Sequence, residues 1–139
     1  MTLTELATAD VVTADSDTDI HEILEHLDDR HVGSCVITDG DEPIGIITDR
    51  MIAMSMRDHD SLDGMSADDV MTEDLVTIGG DESHSRAVQM MSDEGIRRLP
   101  VVDDDGSLTG IITLDDIIMV MAAELSNASD VIERQAGTR

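Results

Sequence analysis

Two adjacent arginines lead into an apolar run at Ile96-Arg97-Arg98-Leu99-Pro100-Val101-Val102-Asp103, and a second run, Gly110-Ile111-Ile112-Thr113-Leu114-Asp115-Asp116, ends in a hydroxyl and two carboxylates. All 8 basic residues of the chain are arginines, and two side by side can grip a phosphate with forked donors in a way lysine cannot copy. Thr113 and Asp116 fall where a strand should give way to a helix. A carboxylate at such a junction can accept both hydroxyls of a ribose, and the N–H groups of the helix start favour an anion. The same residues also have an architectural use, in which Thr113 or Asp115 caps the helix and the arginines neutralise nearby acids. Spacing alone leaves both readings open.

Other chemistry has little to stand on. No cysteine pair, H-E-x-x-H, G-x-S-x-G, G-x-G-x-x-G or G-K-[ST] occurs, so the sequence signatures of metal, nucleophile and phosphate-loop enzymes are missing, and no catalytic residue, metal site or required cofactor is expected. His21, His26, His31 and His59 sit among acids on predicted helix faces or loops and read as solvated surface. His84 takes the stripe position that Ile20 holds earlier in the chain, so it reads as half-buried and hydrogen-bonded, or as facing a cleft. Asp103-Asp104-Asp105 lacks the ligand spacing of a calcium loop and reads as a turn.

The elements that must position the arginines and acids occur twice. Residues 6–54 and 70–119 repeat one pattern at an offset of 64 residues up to an acidic turn and 65 after it. Val11-Val12-Thr13 answers Leu75-Val76-Thr77, and a helical stretch from Asp17 to Asp29 answers one from Asp81 to Gly95. Ser34–Asp39 and Gly45–Thr48 answer Leu99–Asp103 and Gly110–Thr113. Ile20, Ile23, Leu24 and Leu27 form an amphipathic stripe that Ser16 or Asp17 can cap. The short β-branched runs are separated by acidic, Gly-containing turns at hairpin spacing. Each copy closes with a helix, Asp49–Met56 or Asp115–Leu125, so the unit is β-α-β-β-α.

The expected organisation is a first repeat over 1–57, a linker over 58–69, a second repeat over 70–125 and a polar tail over 126–139 that frays or extends the last helix. Each copy alone is marginal in size, so the halves should fold against each other. The closing helices are apolar around much of their circumference, and the segments Met51–Met56 and Ile117–Leu125 are expected to pair with a second chain in a homodimer. With no aromatic residue, the core must be built from Ile, Leu, Val and the 10 Met. The single Cys35 aligns with Leu99 and reads as a small core residue.

The charge is extreme, with 32 acidic against 8 basic residues and a formal net charge of −24. Acids spread along the whole chain argue against nucleic acid, which needs basic patches to release counterions. No apolar run approaches the ~20 residues of a membrane span, and no basic-then-apolar leader is present, so a soluble cytoplasmic protein is expected, without membrane contact. The uniform acidity suits a halophile's salt-rich cytoplasm.

The pattern G-I-R-R-L-P-V-V-D followed by G-I-I-T-x-x-D, repeated after about 64 residues, resembles the cystathionine-β-synthase (CBS) domain family. From Leu6 to about Met121 the chain resembles a free-standing tandem CBS pair. The resemblance implies an α/β (α+β) fold of two pseudo-symmetric β-α-β-β-α repeats packed sheet to sheet, with two related clefts and closing helices that pair with a second chain. It also implies a regulatory module that senses an adenosine-containing ligand (AMP, ADP, ATP or S-adenosylmethionine) and relays a conformational change to a partner protein. Carried over by position, one cleft would use Leu75 and Val76 as a wall for adenine with Ile96 beside it, Arg97 and Arg98 toward phosphate, and Thr113 with Asp115 and Asp116 at the ribose. The other would keep only Val11, Val12, Val32 and Thr48, because Met51 replaces the ribose-binding aspartate and Gly33-Ser34 replace the arginines. A constitutive dimeric scaffold without a physiological ligand is the alternative.

The charge generates a first prediction. Molar salt shortens the screening length to about 3 Å and removes carboxylate self-repulsion. The denaturation midpoint should therefore rise steeply from dilute buffer to molar KCl. Equal midpoints in the two would contradict adaptation to salt.

Overall fold

The computed structural model describes residues 2–137. Each repeat forms a three-stranded sheet. In the first, β1 (Thr13–Ala14) runs parallel to β2 (Ser34–Asp39), which pairs antiparallel with β3 (Glu42–Thr48). In the second, β4 (Ile78–Gly79), β5 (Arg98–Val102) and β6 (Leu108–Thr113) repeat that order. Helices α2 (Ile20–Arg30) and α5 (His84–Glu94) cross between the parallel strands, and α3 (Asp49–Ser55) and α6 (Leu114–Gly137) close the repeats.

Both faces of each central strand are covered. Cys35 and Ile37 of β2 join Ile20, Ile23, Leu27 and Ile47 in one core, and Leu99 and Val101 of β5 join Ala87, Met91, Ile112 and Ile117 in the other. Val36 and Pro100, which alternate with those residues, are also fully buried, on the opposite faces of the two strands.

The two short helices that precede the repeats exchange places. Helix α1 (Leu3–Leu6) opens the chain, yet its fully buried Leu3 belongs to the core of the second repeat. Helix α4 (Ala67–Val70), just before the second repeat, places Met65, Ala67 and Met71 in or against the core of the first. The stretch 58–69 is thus no plain polar spacer, because Leu62, Met65 and Ala67 pack into the first repeat. Two glycines make room for the incoming chain. A Cβ on Gly45 would meet Met71 Sδ at 2.6 Å and its Cβ and Cγ at 3.0 Å, and one on Gly110 would meet the Thr8 carbonyl oxygen at 3.0 Å.

Several boundaries differ from those expected. The first strands are Thr13–Ala14 and Ile78–Gly79, so of the expected segments only Thr13 lies in a strand, while Val11-Val12 and Leu75-Val76-Thr77 run as irregular backbone between the repeats. Helix α2 begins at Ile20, not Asp17, and its cap is Asp19, whose carboxylate accepts from the His21 N–H at 2.8 Å. The Ile20 N–H donates to the Met65 carbonyl at 3.0 Å, which holds the residues before it extended. Helix α5 starts at His84 after a Ser83 cap and ends at Gly95 with φ 68°. His31, at the matching position of the first repeat, takes φ 53° with a side chain. His84 is half-buried, but its Nδ1 is buried without the hydrogen bond expected of it. Asp103 Oδ1 accepts from the N–H groups of Asp105 and Ser107 at 3.0 and 2.9 Å, which closes the acidic turn.

Helix α6 continues through the tail and spans about 36 Å at 1.5 Å per residue. From Met121 onward every described residue is exposed. Ile118, Met119, Leu125 and Ile132 stand 50–72% exposed along it. Among the described residues no helix is long and apolar enough to cross a membrane.

Burial pushes the Cys35 thiol up from 9.0 to about 11. The folded protein then keeps the proton while the unfolded chain loses it. Stability should be level below pH 9 and fall by about 2–3 kcal/mol as pH rises to about 11. The chain has neither Lys nor Tyr to titrate in that window. Denaturant midpoints measured across it should slope downward for the wild type and flatten in Cys35→Ala; an unchanged slope in the variant would contradict this assignment.

Candidate functional site

The exchange of α1 and α4 forces two segments across the boundary between the repeats, and a cleft opens at each crossing. Thr8 and Ile111 exchange N–H···O bonds at 3.0 Å, so the chain leaves the second repeat there and runs through Val11 and Val12 to β1. Thr72 is tied to Ile46 in the same way. Its N–H donates to the Ile46 carbonyl at 3.1 Å and its Oγ1 accepts from the Ile46 N–H at 3.2 Å, before the chain passes through Leu75 and Val76 to β4.

Each cleft therefore draws its lining from both repeats. A cavity of about 300 Å³ sets Leu75, Val76, Ile96, Arg97 and Arg98 of the second repeat against Ile46, Thr48, Asp49, Arg50 and Met51 of the first. Its pseudo-symmetric mate, about 230 Å³, sets Val11, Val12, Val32, Gly33 and Ser34 against Ile111, Thr113 and Asp116. These volumes lie at the small end of small-molecule sites, roughly 300–1,000 Å³.

This corrects the grouping by repeat. In the two larger cavities Asp116 and Thr113 stand with Arg98 but apart from Leu75, Val76, Ile96 and Arg97, and Thr48 stands apart from Val11, Val12 and Val32. A third cavity of about 220 Å³ between the two gathers Arg97, Arg98, Thr113, Leu114 and Asp115. The earlier members of each crossing, Thr8 with Asp10 and Thr72 with Asp74, were not singled out, although they recur at the same 64-residue offset.

Polar partners sort the site residues by what remains available. The Thr113 N–H donates to Asp116 Oδ2 at 3.1 Å while Thr113 Oγ1 accepts from the Asp116 N–H at 3.2 Å, a reciprocal cap that fixes both groups at the start of α6. A carboxylate has further lone pairs, so the cap orients Asp116 without exhausting it. Thr48 makes the matching cap to the Met51 N–H at 3.1 Å, but Met51 returns nothing. Arg97 Nη2 donates to Asp115 Oδ1 at 3.0 Å with both side chains largely exposed, so this pair fulfils the architectural reading. Asp10, on the rim of the second cleft, is paired with Arg30. Arg98 is different. It lines all three cavities, is half-buried, and among the described residues has no ion pair or hydrogen bond from its side chain.

No group of three or more His, Cys, Asp or Glu residues is arranged to hold a metal among the described residues. What the geometry offers is two small clefts with apolar walls, one rich in guanidinium groups and the other carrying an oriented carboxylate.

Two sheets flanked by exchanged helices, with paired clefts where the chain crosses between them, define a tandem two-repeat module. The sequence profile of the CBS domain matches twice, over residues 3–58 and 67–123, and the chain belongs to the CBS domain family as a tandem pair. It is 40% identical over 118 residues to the uncharacterized protein MK0525 of Methanopyrus kandleri, covering 84% of this chain and 60% of that protein. It is 32% identical to an inosine-5′-monophosphate dehydrogenase of Methanocaldococcus jannaschii, over 82% of this chain but only 22% of the enzyme. The solved CBS domain pair of protein MJ0100, in complex with 5′-methylthioadenosine and S-adenosyl-L-methionine, superposes with a TM-score of 0.79 at 26% identity, covering 89% of this chain and 98% of that one. The fold is shared with CBS domain protein PAE2072 of Pyrobaculum aerophilum at a TM-score of 0.78 and 23% identity, over 88% of this chain and 99% of that one.

Proposed function

We propose that the protein is a non-catalytic regulatory module whose Asp116 cleft binds an adenosine-containing ligand. Binding would shift the set of the two repeats against each other and pass that change to a partner protein. The observation that carries this reading is the Asp116 carboxylate, held by its cap with Thr113 in a cleft walled by Val11, Val12 and Val32. The valines offer a flat apolar wall for a purine, and the carboxylate and hydroxyl are placed for a vicinal diol. The adenosine derivatives bound by the similar CBS pair of MJ0100 support the choice of ligand class. A ligand that spans the cleft touches both repeats, so its binding free energy acts on their relative position.

The test is a thermal-shift and calorimetric panel of AMP, ADP, ATP and S-adenosylmethionine in molar KCl. A ligand at 100 times its dissociation constant should add about 2.7 kcal/mol. Asp116→Ala removes a charged hydrogen bond and should weaken binding at least tenfold. Because the cleft crosses the repeats, Val32→Ala should weaken the same ligand several-fold and Leu75→Ala should not. No shift with any of the compounds would favour the constitutive scaffold instead.

We also infer that the module is a homodimer in the cytoplasm, joined through Met51–Met56 and Ile117–Leu125. Met54, Met56, Ile118 and Met119 leave 44–72% of their area exposed on these helices, more apolar surface than a small soluble body carries without a cover. Sedimentation in molar KCl should give a dimer for the wild type and a monomer for Met119→Arg. A wild-type monomer at micromolar concentration would refute the pairing.

A further inference from the structure

We propose that Arg98 reads phosphate for both clefts, so that phosphate-bearing ligands in the two clefts compete for one guanidinium. The inference rests on the reading of the clefts as ligand sites given above and goes beyond it by naming the group that couples them.

Arg98 belongs to the second repeat, yet its Nη2 reaches across to the first. It lies 3.0 Å from the point where a Cβ on Gly33 would stand, at the wall of the Asp116 cleft. Gly33 occupies the position that Arg97 holds in the second repeat, and its bare backbone is what leaves room for the incoming guanidinium. The Asp116 cleft has Gly33 and Ser34 where the other cleft has Arg97 and Arg98, so Arg98 is the one cation in its lining. Arg98 also lines the opposite cleft, beside Arg50 and Arg97.

Its lack of any partner makes this placement informative. Among the described arginines only Arg30 and Arg97 are paired with a carboxylate, and of those left without one Arg98 alone is half-buried, the others being exposed. A half-buried guanidinium without a partner keeps part of its desolvation cost unrepaid, which an arriving phosphate oxygen repays. One fork cannot serve phosphates on both sides at once. A phosphate bound among Arg50, Arg97 and Arg98 therefore withdraws the cation from the Asp116 cleft, which retains its affinity for the neutral nucleoside but loses its preference for the nucleotide.

Calorimetry in high KCl tests this with AMP and adenosine, which differ in the phosphate alone, and with inorganic pyrophosphate as the anion for the Arg97 cleft. AMP is expected to bind the wild type about tenfold more tightly than adenosine. Arg98→Met should bring AMP down to the adenosine affinity, and Arg98→Lys should recover part of the difference. Saturating pyrophosphate should weaken AMP and leave adenosine untouched, and this antagonism should disappear in Arg97→Met, because Arg97 lines the first cleft and not the second. Equal affinities for AMP and adenosine would overturn the role of Arg98 while leaving the adenosine site standing. Antagonism undiminished in Arg97→Met would overturn the sharing, since pyrophosphate would then be competing directly beside Asp116. Absence of binding by either adenosine compound would overturn the site itself and this inference with it.

Discussion

The exchange of two short helices holds this molecule together. Leu3, from a helix of 4 residues, is fully buried in the second core, and Ala67, from another of 4, is fully buried in the first. Neither repeat can complete its core from its own contiguous sequence. A single buried leucine contributes about 1.5–3 kcal/mol, a large share of the stability of a unit of some fifty residues with so small a core. Separating the repeats would uncover both cores, so they fold and fail as one body. The crossing segments that follow from the exchange are also the segments that open the clefts.

The electrostatics follow from the same geometry. The carboxylates lie on the outside, no charged side chain among the described residues is fully buried, and the arginines that matter are those near the crossings. Arg30 neutralises Asp10 and Arg97 neutralises Asp115, both at exposed sites where such pairs contribute little to stability. Arg98, half-buried between the clefts, is left over. Around it the strongly negative surface potential should repel free anions, so a phosphate reaches it chiefly when salt screens the carboxylates or when an apolar ligand body brings it in. One charge distribution thus sets both the response of the fold to salt and the access of anions to Arg98.

The repeat, its β-α-β-β-α order, the burial of Cys35 and the apolar closing helices were legible because each rests on local periodicity or on the 64-residue offset. The strand Ser34–Asp39 fell where the β-branched run placed it. The starts of the helices were misplaced because Asp19 and Ser83, rather than the earlier acids, sit where extended backbone pairs with Ser66 and Thr2 from the other half. That pairing is tertiary and leaves no mark on hydrophobic spacing. The strand expected at Val11–Thr13 was displaced for the same reason, since those valines spend their length crossing between repeats. The stripe position of His84 signals its partial burial, but nothing in the spacing marks its Nδ1 as buried without a hydrogen bond.

The site shows most clearly what one dimension conceals. Along the chain, the second repeat looks intact, with Arg97, Arg98, Thr113 and Asp116, and the first looks degenerate, with Gly33, Ser34 and Met51 in place of their counterparts. In space neither cleft is intact and neither is lost. The loss of a carboxylate at Met51 falls on the cleft that keeps the arginines, and the loss of the arginines at Gly33 and Ser34 falls on the cleft that keeps the carboxylate. Because every cleft is lined by both repeats, changes confined to one repeat alter both clefts in complementary ways. The departures of the first repeat therefore leave two unlike clefts, one lined by Arg50, Arg97 and Arg98 and the other carrying the Asp116 carboxylate, and the side chain of Arg98, reaching across to Gly33, lines both.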